Sequence, residues 1–135
     1  MSAESATPPG DTGIQTIESG HSFTDTVNRL TAAFQSHGIK IFSTIDQQAE
    51  AKAAGLTMQP VTLILFGNPK AGTPLMVAQP VSALDLPLKV IVWASEAGVF
   101  VSFNTAAYLL ARHHLPAALA ANIAPAEKLI AGAVA

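Results

Sequence analysis

Hydrophobic residues between positions 22 and 38 recur at the spacing of an amphipathic helix. Four of them follow one another at intervals of four, three and four residues, on one face of a helix: Phe23, Val27, Leu30 and Phe34. Ser22 precedes this run and Asp25 follows three residues later, which is typical of an N-terminal capping box. Gly38 suits the left-handed conformation that often ends a helix. The pattern predicts the first helix of the chain.

Shorter apolar runs predict five β-strands. They cover Gly13 to Ser19, Ile39 to Ile45, Val61 to Phe66, Leu88 to Ala94 and Val99 to Phe103. In the second strand, Ile39, Ile41 and Ile45 are expected on one face, because side chains alternate along a strand. The third run is apolar on both faces and is therefore expected inside the sheet. Turn residues at positions 95–98 join the last two strands into an antiparallel hairpin.

Capping residues and prolines place the helices that separate these strands. Asp46 is expected to cap a short Ala-rich helix that ends at Gly55. The pairs Asn68-Pro69 and Thr73-Pro74 each put a capping side chain before a proline at the first helical position. A short helix is therefore expected over Leu75 to Ala78.

The last third of the chain is expected to be helical. Asn104 or Thr105 can cap a helix that runs to about His114 and ends before Pro116. The resulting order, β-α-β-α-β-α-β-β-α-α, favours an α+β fold with helices packed on one face of a single, mostly antiparallel sheet. We predict a disordered lead over residues 1–12, the α+β domain over 13–114 and an Ala-rich helical C-terminal extension over 115–135.

The composition favours one soluble, cytoplasmic domain. The chain has 135 residues, of which 50% are hydrophobic and 12% charged, so an interface between subunits is expected besides the core. It has no cysteine, which excludes thiol catalysis and disulfide bonds. A formal net charge of −2 without clustered cations argues against nucleic-acid binding. Pro116, Pro125, Glu127 and Lys128 argue against a membrane span in the tail, and no signal-peptide pattern opens the chain.

Several strings of residues together resemble a known family. They are Phe-Gly-Asn-Pro-Lys-Ala-Gly-Thr-Pro-Leu-Met at 66–76, Leu-Asp-Leu-Pro-Leu-Lys at 84–89, and shorter strings at 21–23, 45–46, 108–109 and 112–113. Over residues 14 to 114 the chain resembles domain of unknown function 302. The resemblance implies a single-sheet domain, similar to half of a TATA-binding-protein-like fold, that pairs as a homodimer, and it implies no reaction. Many members carry His after Asp46, and Gln47 here weakens the idea of an Asp-His metal site.

The connection from Gly67 to Pro74 is the strongest candidate for ligand binding. It follows a buried strand and opens helical turns, so its free backbone N–H groups are expected to receive an anion, with Lys70 adding charge. The predicted ligand-binding residues are Gly67, Asn68, Lys70, Gly72, Thr73, Tyr108 and Arg112. Tyr108 and Arg112 enter this set because they lie four residues apart on one helix face. The alternative is that the connection is ordinary turn and cap chemistry.

Histidines and carboxylates offer a competing, catalytic hypothesis. His113 or His21 would act as general base with Asp46 or Asp85 in support, which requires hydrogen-bond reach around one pocket. Asp85 stands among leucines and needs a partner if buried, and Lys89 or Arg112 would serve. Four histidines without a ligand spacing predict no metal and no cofactor.

Three functions therefore remain open from the sequence. They are a homodimeric domain that binds a small, anionic ligand, an enzyme, and a structural or assembly module without a ligand. The first is preferred, and its anion version depends on unpaired amides in the Gly67–Pro74 connection.

Overall fold

The computed structural model describes residues 12–135, so the predicted disordered lead lies, apart from Thr12, outside the described residues. The strands are β1 Ile14–Glu18, β2 Lys40–Asp46, β3 Val61–Gly67, β4 Leu88–Ser95 and β5 Gly98–Asn104. The α-helices are α1 Phe23–Ser36, α2 Gln47–Ala53, α3 Pro69–Ala78, α4 Ala106–Arg112, α5 Ala120–Ile123 and α6 Pro125–Val134. Short 3₁₀ helices cover Pro80–Asp85 and Ala117–Leu119.

The strands form a single antiparallel sheet in the order β1-β5-β4-β3-β2. This topology and the order of elements confirm the predicted α+β fold. β3 lies between β4 and β2, as its apolar character on both faces predicts. β4 and β5 form the predicted hairpin, with Ser95 paired to Gly98 across its turn.

The main core lies between one face of the sheet and helices α1 and α6. The predicted apolar face of α1 is buried there: Leu30 and Phe34 are fully enclosed, and Phe34 stacks on Phe66 of β3 with ring centroids 4.2 Å apart. Ser22 caps α1 by accepting from the Asp25 amide, as predicted. A second buried cluster joins α3, α4 and α5: Leu75, Ala106, Leu109, Leu115 and Ile123.

The C-terminal segment 115–135 is helical, as predicted, and it packs inside the domain. Ile130 and Val134 of α6 are buried in the main core together with α1. The Glu127 carboxylate accepts from the Ala106 amide at 2.6 Å and so caps the first turn of α4. The segment 115–135 is therefore packed against the main core and against the start of α4.

One stretch of this segment, Ala117–Val134, is long and apolar enough to cross a membrane by length and composition alone. In the structure it is divided between the 3₁₀ turn, α5 and α6. Ile123, Ile130 and Val134 face the buried clusters. Helices that pack on the core of a soluble domain have the same apolar composition, so the stretch is weak evidence for a membrane span.

The prediction that Ile39, Ile41 and Ile45 share one face of β2 is wrong. A bulge between Ile41 and Ser43 shifts the register: Ile41 pairs with the buried Phe66, whereas Ile45 pairs with Leu63 on the other face of β3. A bulge adds one residue to a strand, and residues beyond it change face.

Two predicted helix boundaries also move. α3 begins at Pro69 instead of Leu75, so Thr73 and Pro74 lie inside the helix and only Asn68 acts as a cap. α4 ends at Arg112 and is capped by Thr105, and His114 (φ 52°) takes the left-handed conformation before Pro116 is reached.

The second face of the sheet, here called the open face, carries apolar side chains that stay partly exposed. Residues paired across antiparallel strands share a face, and the register places these apolar residues together: Ile14, Ile45, Val61, Leu63, Leu65, Ile91, Trp93 and Phe100. Within the described chain none of them belongs to a buried cluster or packs against one. Trp93 stacks on Phe100 and donates its indole N–H to Ser102.

Candidate functional site

A pocket of about 300 Å³ opens where β3 passes into α3. Its lining includes Gly67 and Asn68 at the junction, residues of α3, and residues 86–88. Phe42 of β2 lies at the pocket and is 42% exposed. Asn122 and Ile123 of α5 complete the lining, which is mostly apolar and contains no charged residue.

The backbone amides of the junction are already used by the protein. The Lys70 amide donates to Asn68 Oδ1 at 2.9 Å, and the amides of Ala71 and Gly72 donate to the Asn68 carbonyl at 2.8 and 2.9 Å. Pro69 has no N–H to offer. The amides of Lys70, Ala71 and Gly72 are therefore not free to receive an anion, because the Asn68 cap and the first turn of α3 satisfy them.

The predicted ligand-binding residues fall into two groups. Gly67, Asn68, Gly72 and Thr73 line the pocket. Lys70 is exposed and outside the lining, and Tyr108 and Arg112 lie elsewhere. The structure thus places four of the seven predicted residues around one cavity, although the chemistry predicted for them was anion binding by backbone amides.

Tyr108 and Arg112 do not share a pocket. Tyr108 packs against the second buried cluster and lies over Gly13, where an added Cβ would come within 2.1 Å of Tyr108 Cγ. Arg112 points to Asp85, with Nη1 at 3.1 and 3.3 Å from the two carboxylate oxygens. Tyr108 thus anchors the start of β1 to α4, whereas Arg112 forms an ion pair with Asp85.

His113 and Asp85 are the two catalytic candidates from the sequence that lie closest together in the described chain. His113 Nε2 lies 2.5 Å from Asp85 Oδ2, and the histidine side chain is only 5% exposed. A carboxylate accepts and does not donate, so Nε2 carries the proton of this hydrogen bond. Arg112 meets the predicted need of Asp85 for a cation. Asp85 faces a cavity of only about 20 Å³, and His113 lines neither that cavity nor the pocket of about 300 Å³.

The other catalytic candidates lie apart from this pair. His21 Nδ1 lies 3.3 Å from Asp25, and its Nε2 bonds the main-chain oxygen of Ala135 at 2.8 Å. Asp46 caps α2 by accepting from the Ala49 amide at 2.9 Å, as predicted. Between residues 12 and 135, no three His, Asp or Glu side chains come close enough to hold a metal ion.

Sequence reasoning missed the distant contributors to the pocket. Asn122 donates from Nδ2 to the Ala71 carbonyl at 2.9 Å and so ties α5 to α3 across 51 positions of sequence. Phe42 reaches the pocket from β2, next to the bulge. Neither residue belongs to a local pattern, so only the fold brings them to Gly67 and Asn68.

Comparison with known proteins places this chain in a family. The sequence pattern of the family described as Domain of unknown function DUF302 matches residues 15–134. The chain belongs to the DUF302 family. The match continues through α6, whereas the resemblance in the sequence analysis stopped at residue 114. All residues that line the pocket, and the Asp85–His113 pair, therefore lie within the DUF302 match.

The solved and curated relatives describe the DUF302 chain further. A crystal structure of an uncharacterized conserved DUF302 protein from Bacillus stearothermophilus superposes with a TM-score of 0.76 at 17% identity, covering 90% of this chain and 95% of that one. At this identity the likeness concerns the fold alone. Proteins named Fluoride-specific ion channel FluC 1 from Brucella suis and Brucella abortus are 42% identical over 106 residues, 78% of this chain. The chain spans 42% and 39% of their respective lengths.

Proposed function

We propose that this chain is a non-catalytic domain that binds one small molecule in the pocket between β3, α3 and residues 86–88. The observation that carries the proposal is the pocket itself, about 300 Å³ with a mostly apolar lining. Asn68, Thr73 and Asn122 add a few polar groups at its wall. Ligand sites are typically concave and apolar, with a few polar groups that orient the ligand.

The geometry of His113 supports a non-catalytic function over an enzymatic one. Its Nε2–H is bonded to Asp85, so Nδ1 is the nitrogen left to act as a base, but the side chain is only 5% exposed and lines neither cavity. A general base must reach the proton that it removes in a bound substrate. The pair instead joins the 3₁₀ helix Pro80–Asp85 to the end of α4, a connection that shapes the wall next to the pocket.

A thermal-shift and calorimetric screen tests the binding function. The probes are small neutral and charged molecules with apolar bodies, applied to the wild type and to Gly72→Leu. A Cβ added at Gly72 meets nothing within 4 Å, so the new side chain enters free space at the pocket wall. Binding that Gly72→Leu abolishes supports the proposal.

Gly132→Leu is the matched control for this screen. Gly132 also lies in a helix with nothing within 4 Å of an added Cβ, but it is part of α6 and does not line the pocket. Binding that survives Gly72→Leu, or that Gly132→Leu weakens equally, contradicts a ligand at this pocket.

We also propose that the domain forms a homodimer through its open face. Five strands about 4.8 Å apart and three rows of side chains give a flat area of about 500 Å². Because the side chains project unevenly from the sheet, their accessible surface is larger than this flat area. It approaches the about 800 Å² that each partner buries in a stable interface. Leu63 and Ile91 are paired near the centre of the face, and Trp93 adds an aromatic group of the type enriched at interfaces.

Sedimentation of a charge variant tests the dimer. Leu63→Lys places a cation in the middle of the open face, where a second copy would bury it, so the dimer is expected to dissociate. Val77→Lys is the control, because Val77 is 77% exposed on α3 and does not belong to the open face. A wild-type monomer, or a dimer that Leu63→Lys leaves intact, contradicts the proposal.

The curated relatives favour a second candidate function, a role beside a fluoride channel. The proteins that share 42% identity with this chain are named for fluoride channels, and most of their length lies outside the match. Fluoride itself is a poor candidate for the pocket, since a small hard anion needs polar donors rather than apolar walls.

Growth of the source cells with the chromosomal copy deleted tests this second candidate. Sensitivity to sodium fluoride but not to sodium chloride supports it. Equal growth of deleted and intact cells in both salts contradicts it.

A further inference from the structure

We propose that the ligand of the pocket is a small carboxylic acid with an apolar body, whose carboxylate is held at the mouth by Lys40. This inference rests on the proposed binding function and names the class of its ligand.

Lys40 places a cation next to the pocket. It pairs with Gly67 in the β2–β3 register, and its Nζ lies 4.8 Å from the centroid of the Phe42 ring. Gly67 and Phe42 both line the pocket. The ammonium therefore stands beside an aromatic side chain that itself lines the cavity, in a cation–π contact.

The lining of the pocket carries no negative charge. No Asp or Glu lines it, and Lys40 makes no ion pair within residues 12–135. Lys70, on the first turn of α3, is likewise without an ion pair in the described chain. An incoming carboxylate would meet no anion in the lining and would gain a charge-assisted hydrogen bond from an ammonium group.

Asn68 adds a neutral donor on the same side. Its side-chain oxygen accepts from the Lys70 amide, so the NH₂ end of the amide is the group left to donate to a ligand. Asn68 lies next to Gly67, and Gly67 is the register partner of Lys40. The residues that carry the cation and the amide donor therefore both adjoin Gly67, which lines the pocket.

The rest of the pocket excludes a ligand that is polar throughout. Phe42, Met76 and Ile123 come from three different elements and make the interior apolar. A phosphate needs several donors, and the junction amides that would supply them are already bonded to Asn68. The volume, about 300 Å³, lies at the lower end of ligand pockets and suits a small molecule. A short alkyl or aryl carboxylate has an apolar body, needs few hydrogen-bond donors and is small enough for this volume.

Calorimetric titration with octanoate and octanamide tests the inference. The two probes share an alkyl body and differ in charge. The wild type is expected to bind octanoate about fivefold more tightly than octanamide, the upper range for an exposed ion pair. Added salt should reduce this preference.

Three variants make the test specific. Lys40→Met keeps the apolar stem and is expected to remove the preference for octanoate. Lys52→Met on α2 is the matched control and should retain it, and Gly72→Leu should abolish binding of both probes.

Other results of the titrations would contradict either the carboxylate ligand or the binding function. Equal binding of both probes by the wild type, or a preference that survives Lys40→Met, overturns the carboxylate inference and leaves the binding function standing. Failure of both probes to bind overturns the inference, and the wider screen with Gly72→Leu then decides the binding function separately.

Discussion

Asp85, at the end of the 3₁₀ helix Pro80–Asp85, and His113, at the C-terminus of α4, are joined by a hydrogen bond of 2.5 Å. The two side chains are 13% and 5% exposed, so the bond lies in a largely buried place. Arg112 approaches the same carboxylate from the surface and is 46% exposed. The buried His113 and the exposed Arg112 should therefore contribute differently to the free energy of unfolding.

Asp85→Ala is expected to lower the free energy of unfolding by about 2 kcal/mol, because it leaves the buried imidazole N–H without a partner. Arg112→Ala should lower it by about 0–1 kcal/mol, as for other exposed ion pairs. Urea denaturation of both variants measures the difference. Equal losses would mean that the surface ion pair, and not the buried hydrogen bond, stabilises this junction.

Gly13→Ala is expected to be strongly destabilising, by about 2–4 kcal/mol. Gly13 has φ +72°, and an added Cβ would lie 2.1 Å from Tyr108 Cγ. Gly38→Ala is the matched control, since Gly38 has φ +69° with nothing within 4 Å of an added Cβ. Gly38→Ala should lower the free energy of unfolding by only about 1 kcal/mol, the cost of the left-handed backbone conformation for alanine. A similar loss in both variants would show that the contact between residue 13 and Tyr108 is not tight.

Gly72→Ala is expected to raise the free energy of unfolding by about 0.5–1 kcal/mol. Gly72 lies within α3, where alanine lowers the entropy of the unfolded chain and the new methyl group meets nothing within 4 Å. Gly132→Ala in α6 should give a similar gain for the same reason. Thermal unfolding measures both, and a loss of stability at Gly72 alone would indicate that the pocket wall has no room for a methyl group.

Ser82→Ala is expected to be neutral or stabilising by up to about 1 kcal/mol, although Ser82 is only 1% exposed. Among the buried side-chain nitrogen and oxygen atoms of residues 12–135, its Oγ is the one without a hydrogen-bond partner. Thr26→Val provides the contrast, because Thr26 Oγ1 lies 2.6 Å from Ser19 Oγ and donates to the Ser22 carbonyl at 2.7 Å. That variant should lose about 1–3 kcal/mol. A clear loss in Ser82→Ala would show that its hydroxyl group has a partner in solution.

The fold was predictable from the sequence where the deciding interactions are local. Ser22, Asp46 and Asn68 each cap the helix that directly follows, as their side-chain chemistry predicts. Helix α3 shows the limit of such reasoning, because Thr73-Pro74 has the pattern of a second helix start and yet lies inside one continuous helix. A proline can lie at a first turn or within a helix, and local sequence does not decide between them.

The candidate site was predictable only in part, because it is assembled from distant segments. Gly67, Asn68, Gly72 and Thr73 belong to one conspicuous string, and they do line the pocket. Whether their amides were free depended on hydrogen-bond geometry that composition does not specify. The bulge in β2 changed the face of Ile45, and the His113–Asp85 bond joins residues 28 positions apart.

The pairing of β1 with β5, and of α1 with α6, has a consequence for how the chain acquires its structure. β1 and α1, the first two described elements, each pair with an element from the last third of the chain, so contacts that complete the core close loops almost as long as the domain. Such long-range closure slows folding, with millisecond-to-second times typical of topologies rich in distant contacts. During translation the nascent chain cannot finish its core until α6 has left the ribosome, and until then the sheet edge and the apolar face of α1 are open to chaperones.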